Sequence, residues 1–267
     1  MYGIDISNWQ SSLNLREVAA QIDFAIVKAT EGLGYVDSTC DKFVQELNAL
    51  NKLWGFYHFA RGNDPTQEAK FFYDNCKNYF GHGMPVLDYE TSENQNRAQW
   101  VETFCKEVYK LSGVKPLVYV SASWVNSVAS KWVCENCGLW LAGYPSKYTV
   151  FDDYNMPYSP SPWPFVAIWQ FTSSLRLRGY AGDLDGNIAY MDKKAWLAYA
   201  NNTGSNSSSS ADSNRSNNSN NNHSITSEQA LEKIAQDVIN GKYGNGSARK
   251  EAIYKAVQNK VNRLLGE

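Results

Sequence analysis

The sequence lacks a dominant charge: 25 Lys and Arg stand against 27 Asp and Glu, a formal net charge of −2. No global field draws in nucleic acid or an acidic membrane surface, so the expected partner is uncharged or recognised locally, and is not nucleic acid. No apolar run approaches bilayer-spanning length, so membrane insertion is not expected. The opening Tyr2-Gly3-Ile4-Asp5-Ile6-Ser7 shows no basic region followed by an apolar one. The expectation is synthesis in a cytoplasm without a signal peptide, with another agent needed if the target lies outside the membrane. The five cysteines (Cys40, Cys76, Cys105, Cys134, Cys137) are odd in number and scattered, which excludes a secreted disulfide framework. Cys134-Glu135-Asn136-Cys137 has no second Cys pair, so idle or buried thiols are expected in place of a zinc or redox centre. No Gly-rich loop that would cradle a phosphate accompanies the acidic motifs described below.

Aromatic residues are abundant, with 9 Trp and 17 Tyr. Such rings have an apolar face and a polar edge and suit sugars, although they also fill cores. Residues 201–224 are almost entirely Asn and Ser. They cannot bury enough apolar surface to offset the entropy of ordering, so they read as a flexible linker with an end-to-end distance of about 25–30 Å. The chain thus divides into a large domain, 1–200, the linker, and a small module, 225–267.

In the large domain, β-rich runs alternate with helical patterns. Eight strands are expected at Tyr2–Ile6, Phe24–Lys28, Leu53–Phe59, Pro85–Tyr89, Pro116–Val120, Leu139–Gly143, Val166–Phe171 and Asp183–Tyr190. Phe43, Val44, Leu47 and Leu50 share one helical face, and Trp100, Phe104, Val108 and Leu111 another. Asp64-Pro65 opens a helix, and Gly113 closes one that starts near Asn94. Strand and helix in alternation imply a parallel α/β sheet, and eight strands imply closure into a barrel. After about residue 130 the helical pattern fades, so the last three strands lack full helices between them. In the small module, Thr226 or Ser227 caps a helix bearing Leu231, Ile234 and Val238, and a second helix carries Ile253, Val257, Val261 and Leu264. This all-α unit has seven Lys and Arg against five Asp and Glu and lies near the lower size limit for independent folding. Oligomerisation through it, or a ligand, would make it firmer.

In Leu87-Asp88-Tyr89-Glu90 the two carboxylates sit two apart on a strand, on one face, with backbone positions roughly 6.5–7 Å apart. At the C-terminal end of a barrel strand they lie where barrel enzymes keep their chemistry. Two close acids raise each other's pKa, and one can stay protonated as a general acid. Glycosidic cleavage needs that proton, together with negative charge near an oxocarbenium-like centre. Asp5 ends the first strand and Asp185 lies in the last, neighbours once a barrel closes. Two other readings stay open from pattern alone: Asp5 and Asp185 as turn caps, and Asp88 with Glu90 as oxygen ligands of a metal. His58 lies within a strand in an aromatic run and reads as a hydrogen-bonded core residue. Lys28 and Glu31 read as an ion pair, and Tyr57, Tyr119, Trp140, Trp169 and Gln170 as candidates for sugar contact.

Gly3-Ile4-Asp5-Ile6-Ser7 with Gln10, Lys28-Ala29-Thr30-Glu31-Gly32, Gly55-Phe56-Tyr57-His58-Phe59-Ala60-Arg61, Leu87-Asp88-Tyr89-Glu90, Trp169-Gln170-Phe171-Thr172 and Asp185-Gly186-Asn187 occur in this order. Together they closely resemble glycoside hydrolase family 25, the N-acetylmuramidases common among bacteriophage endolysins. The resemblance implies an irregular TIM-like barrel of five β/α units followed by three strands. It also implies hydrolysis of the β-1,4 bond between N-acetylmuramic acid and N-acetylglucosamine in bacterial peptidoglycan, without cofactor or metal. By motif position Glu90 is the general acid, with Asp5, Asp88 and Asp185 as acidic companions. An N-acetylglucosaminidase or an inactive peptidoglycan-binding protein of the same fold is the alternative. The tail Val238-Ile239-Asn240-Gly241-Lys242-Tyr243-Gly244-Asn245-Gly246 with Arg249 resembles the small cell-wall-binding repeat behind some phage lysozymes. Tyr243 and Arg249 are its candidate wall contacts.

Overall fold

The computed structural model describes residues 1–92 and 96–201. Eight strands close a barrel: β1 (Tyr2–Ile6), β2 (Phe24–Glu31), β4 (Leu53–Phe59), β5 (Met84–Asp88), β6 (Leu117–Ser121), β7 (Leu139–Ala142), β8 (Ile168–Leu175) and β9 (Leu184–Ala189). A short β3 (Tyr35–Val36) folds back on β2. Closure occurs at β1, which pairs with β2 on one side and β9 on the other. Between the early strands lie α1 (Leu15–Ala19), α2 (Cys40–Ala49), α3 (Pro65–Cys76) and α4 (Arg97–Ser112). Two short helices, α5 (Val125–Val128) and α6 (Lys131–Asn136), join β6 to β7, and among the described residues no helix separates β7, β8 and β9. Five β/α units followed by three strands is the expected architecture.

One feature departs from the all-parallel sheet. β9 runs antiparallel to both β8 and β1. Only residues 176–183 connect β8 to β9, and a parallel return needs a crossover of a dozen or more residues, so the chain turns back as a hairpin. A further helix, α7 (Lys193–Asn201), has no counterpart among the elements expected from the sequence. Its Trp196 is buried and packs on Phe24 with ring centroids 4.6 Å apart. Phe24 is the first residue of β2, so α7 covers the end of the barrel opposite the strand C-termini.

The period-two alternation of strand side chains sorts the apolar residues into two layers. Phe24, Ile26, Met84, Val86, Leu117, Trp140, Ile168 and Ala189 fill the barrel with Trp196. Val27, Phe56, Leu87, Val118, Leu141, Trp169 and Phe171 face outward and pack with Phe43, Leu47, Phe72 and Phe104 of the helices. Local signals set the helix ends. Asp64 accepts a hydrogen bond from the Gln67 amide at 2.9 Å, with Pro65 opening α3. Asn96 caps α4, and Gly113 ends it at φ +73°. A left-handed backbone costs an L side chain about 1–2 kcal/mol, and no atom near Gly113 would clash with an added Cβ. Gly113→Ala is therefore expected to lower unfolding free energy by about 1 kcal/mol without loss of fold, measured by urea denaturation. The five cysteines are free thiols, all buried except the half-buried Cys134. The helices read in 225–267 and the linker lie outside the described residues.

Candidate active site

Alternation carries the acids to one mouth. Asp88 follows Met84 and Val86 on the inner face of β5 and ends the strand. Tyr89 turns outward and is wholly buried, its ring 5.3 Å from Trp100, while its amide bonds the Tyr119 carbonyl at 3.0 Å. That pins the backbone just past the strand, so Glu90 emerges on the inner face, open to solvent. The Asp88 and Glu90 carboxyl groups lie close enough to shift each other's titration, and two neighbouring acids of this kind favour holding one proton between them. Asp5 and Asp185 are direct cross-strand partners in the β1–β9 pair, which sets their side chains roughly 5 Å apart at Cβ.

Burial raises every one of these acids. Asp88 lies well above the usual carboxylate range, first through desolvation and then through the charges of Glu90 and Asp5. Asp5 is also raised well above its ordinary value, by burial and by Asp185, against hydrogen bonds that favour its charged form. Those bonds come from Gln170 Nε2 at 2.9 Å and Asn187 Nδ2 at 2.7 Å, both to Oδ2. Asp185 is pushed up to about 6 by burial and the Glu90 charge. Glu90 is raised by the protein around its solvent-open carboxyl, opposed by its bond with Asp88 and by the nearby Lys28 ammonium. Asp88 Oδ1 is buried and accepts no hydrogen bond from the described residues. A carboxyl open to the mouth, beside a buried one raised well above its ordinary range, is an arrangement for acid-assisted bond cleavage. Among the described residues no group of three or more His, Cys, Asp or Glu side chains is arranged to hold a metal ion.

Around the acids, the Tyr119 hydroxyl donates to Gln170 Oε1 at 2.8 Å, and the Trp140 indole donates to Asn187 Oδ1 at 2.8 Å. Tyr57, Tyr119, Trp140 and Gln170 thus lie on the inner face with the acids. Trp169 does not join them. It is fully buried in the barrel–helix layer, donating to the Gly143 carbonyl at 2.9 Å, because it precedes the inward Gln170 and alternation turns it outward. It has no surface to offer a sugar. His58 also faces outward, lying between Glu68 Oε2 at 2.9 Å and Thr30 Oγ1 at 2.8 Å. Glu68 further accepts the Asn63 amide at 2.7 Å and the Arg61 amide at 3.1 Å. This buried network holds the loop after β4, whose Ala60 amide bonds the Asp88 carbonyl at 2.9 Å. Lys28 pairs with Glu31, and Arg61 joins the same carboxylate.

Three residues at or near the site have no role assigned from sequence. Tyr144 donates its hydroxyl to Gln170 Oε1, and its signal is the inward series Trp140, Ala142, Tyr144. Asn187, two after Asp185, is legible by the same period. Glu68 has no sequence signal, because its partner His58 belongs to a different element. Tyr243 and Arg249 lie outside the described residues.

The sequence profile of the glycosyl hydrolases family 25 matches residues 4–180, and that of the CW_7 repeat matches residues 232–265. Lysozyme M1 of Streptomyces globisporus is 32% identical over 222 residues, 75% of this chain and 71% of the relative. The lysozyme of Streptococcus phage Cp-7 is 27% identical over 256 residues, 90% of this chain and 62% of the relative. Among solved structures, the bacterial lysozyme from Streptomyces coelicolor superposes with a TM-score of 0.66 at 28% identity, covering 76% of this chain and 98% of its own.

Proposed function

The chain belongs to the glycosyl hydrolases family 25, and on that premise we propose that this peptidoglycan hydrolase is a phage-type muramidase acting on the β-1,4 bond from N-acetylmuramic acid to N-acetylglucosamine. The observation that carries the reading is the convergence of Asp5, Asp88, Glu90 and Asp185 at one mouth, where the acids raise one another. Glu90, open to the mouth, protonates the leaving glycosidic oxygen. Asp88, ionised once its proton has passed to Glu90, orients the substrate's acetamido group so that the acetyl oxygen acts as an internal nucleophile. Asp5 and Asp185 hold negative charge beside the developing oxocarbenium and keep the neighbouring carboxyl protonated. Tyr57, Tyr119 and Trp140 shape the floor, while Gln170 and Asn187 fix Asp5.

The organisation proposed is a catalytic barrel over 1–200, a tether over 201–224 and a wall-binding module over 225–267. Tyr243 and Arg249 contact the wall, and the tether raises the effective concentration of the barrel there. The role as a phage endolysin is supported by the similarity to the Cp-7 lysozyme. The test is to digest purified peptidoglycan, reduce the new ends with borohydride and hydrolyse. Muramitol is expected, and glucosaminitol would transfer the activity to the glucosaminidase class. Absence of new reducing ends would leave only a binding protein.

A further inference from the structure

Trp9 is 81% exposed, an unusual position for an indole in a tightly organised segment. It sits in a short 3-10 turn (Asn8–Gln10) directly after β1, the strand that delivers Asp5. The turn is anchored on three sides. Ser7 and Gln10 form a reciprocal capping box, with the Ser7 amide donating to Gln10 Oε1 at 3.0 Å. The Asn8 amide donates to Asp37 Oδ2 at 3.0 Å, and Asp37, itself buried, takes the Thr39 amide and hydroxyl at 2.9 and 2.7 Å. The Tyr180 hydroxyl reaches the Trp9 carbonyl at 3.4 Å. A buried carboxylate and a capping box thus hold the backbone while the ring is left in water. Val36, on the segment tied through Asp37, is 50% exposed.

Trp9 is four positions along the chain from Asp5, which limits the separation of their backbones to roughly 13–14 Å. The turn belongs to the loop leaving the C-terminal end of β1, so its backbone lies on the face of the barrel that carries the acids. Residues 7–13 and 32–36 contain no charged side chain, and the nearby Lys28, Glu31 and Arg61 are paired with one another. Those two segments offer a stem peptide, with its free carboxylates and amines, no counter-charge, whereas an uncharged pyranose presents C–H faces that match an indole.

We propose that Trp9 is a stacking platform for a sugar of the glycan strand lying outside the cleaved linkage, so that the enzyme grips long strands more tightly than short ones. The proposal rests on the wall-glycan reading of the mouth. Its test uses the full-length chain and a ladder of glycan strands of increasing length, with stem peptides removed by an amidase. For the parent, kcat/KM rises with strand length. In Trp9→Ala this gain shrinks about tenfold through KM, the equivalent of one ring contact, while Trp9→Phe keeps most of it. Thermal midpoints confirm that both variants fold. An unchanged length dependence in Trp9→Ala overturns the proposal, as does an equal loss at every length. A loss seen only on strands still carrying stem peptides also overturns it and makes the platform a peptide site. Identification of the reduced ends reports the bond cut independently, so failure of the muramidase reading is distinguishable from failure of this one.

Discussion

Glu90→Gln is expected to lower the turnover of purified peptidoglycan by about 10³-fold while the protein remains folded. General acid catalysis contributes about 10²–10⁴ in rate, and an amide of the same shape cannot supply the proton. The fold should not suffer, because Glu90 is open to solvent and no strand pairing depends on its side chain. Indeed its charge is one of the causes that lift Asp88 and Asp185, so its removal relieves repulsion in the mouth. Release of reducing ends, measured beside a circular dichroism melting curve, checks both halves. Near-parent activity in folded Glu90→Gln would sink the assignment of Glu90 as proton donor. The alternative would then be that Asp88, raised further in the free protein, is the donor.

What the sequence could and could not reveal follows from the range of each interaction. Strand alternation is local, so the same-face placement of Asp88 and Glu90 and the meeting of Asp5 with Asp185 were both legible, the second once closure was inferred. The orientation of Trp169 was not: of the two neighbouring candidates for sugar contact, Gln170 faces the acids and Trp169 faces away. One apolar strand flanked by structure on both faces gives no contrast between in and out, and a shift of one residue exchanges the two. The reversal of β9 was hidden for a related reason: its residues match an inner-strand pattern in either direction, and only the shortness of the 176–183 connection sets the sense. Glu68 was invisible because its partners lie on two other segments, His58 in β4 and Arg61 with Asn63 in the loop after it, that only the fold brings around one carboxylate. α7 buries only Trp196 and Ala200, and Ala195, Leu197, Ala198 and Tyr199 run on all sides of it, so no single apolar face stood out before the Asn/Ser tract.

Asp185→Asn is expected to stabilise the protein at neutral pH by about 2 kcal/mol while reducing its activity. Burial and the Glu90 charge push the Asp185 carboxyl up to about 6 from an ordinary 3.8. A raised carboxylate means that the folded chain holds a proton that the unfolded chain has already released. Stability contributed by that proton is full below about pH 4, falls as the pH rises toward 6, and stays lost above. Asparagine has no proton to lose, so the variant gains most above pH 6 and nothing below pH 4. Each tenfold change in proton affinity between the folded and unfolded chain is worth about 1.4 kcal/mol, and Asp185 shares its titration with the neighbouring Glu90, which brings the expected gain to about 2 kcal/mol. Urea denaturation of parent and variant at pH 7 and pH 3.5 measures the difference directly. Equal stability at both pH values would mean that Asp185 is well solvated and does not press on its neighbours. A gain at pH 7 that vanishes in acid, together with slower release of reducing ends, would identify electrostatic strain at the mouth as the cost of keeping a carboxyl protonated where the glycosidic oxygen needs it.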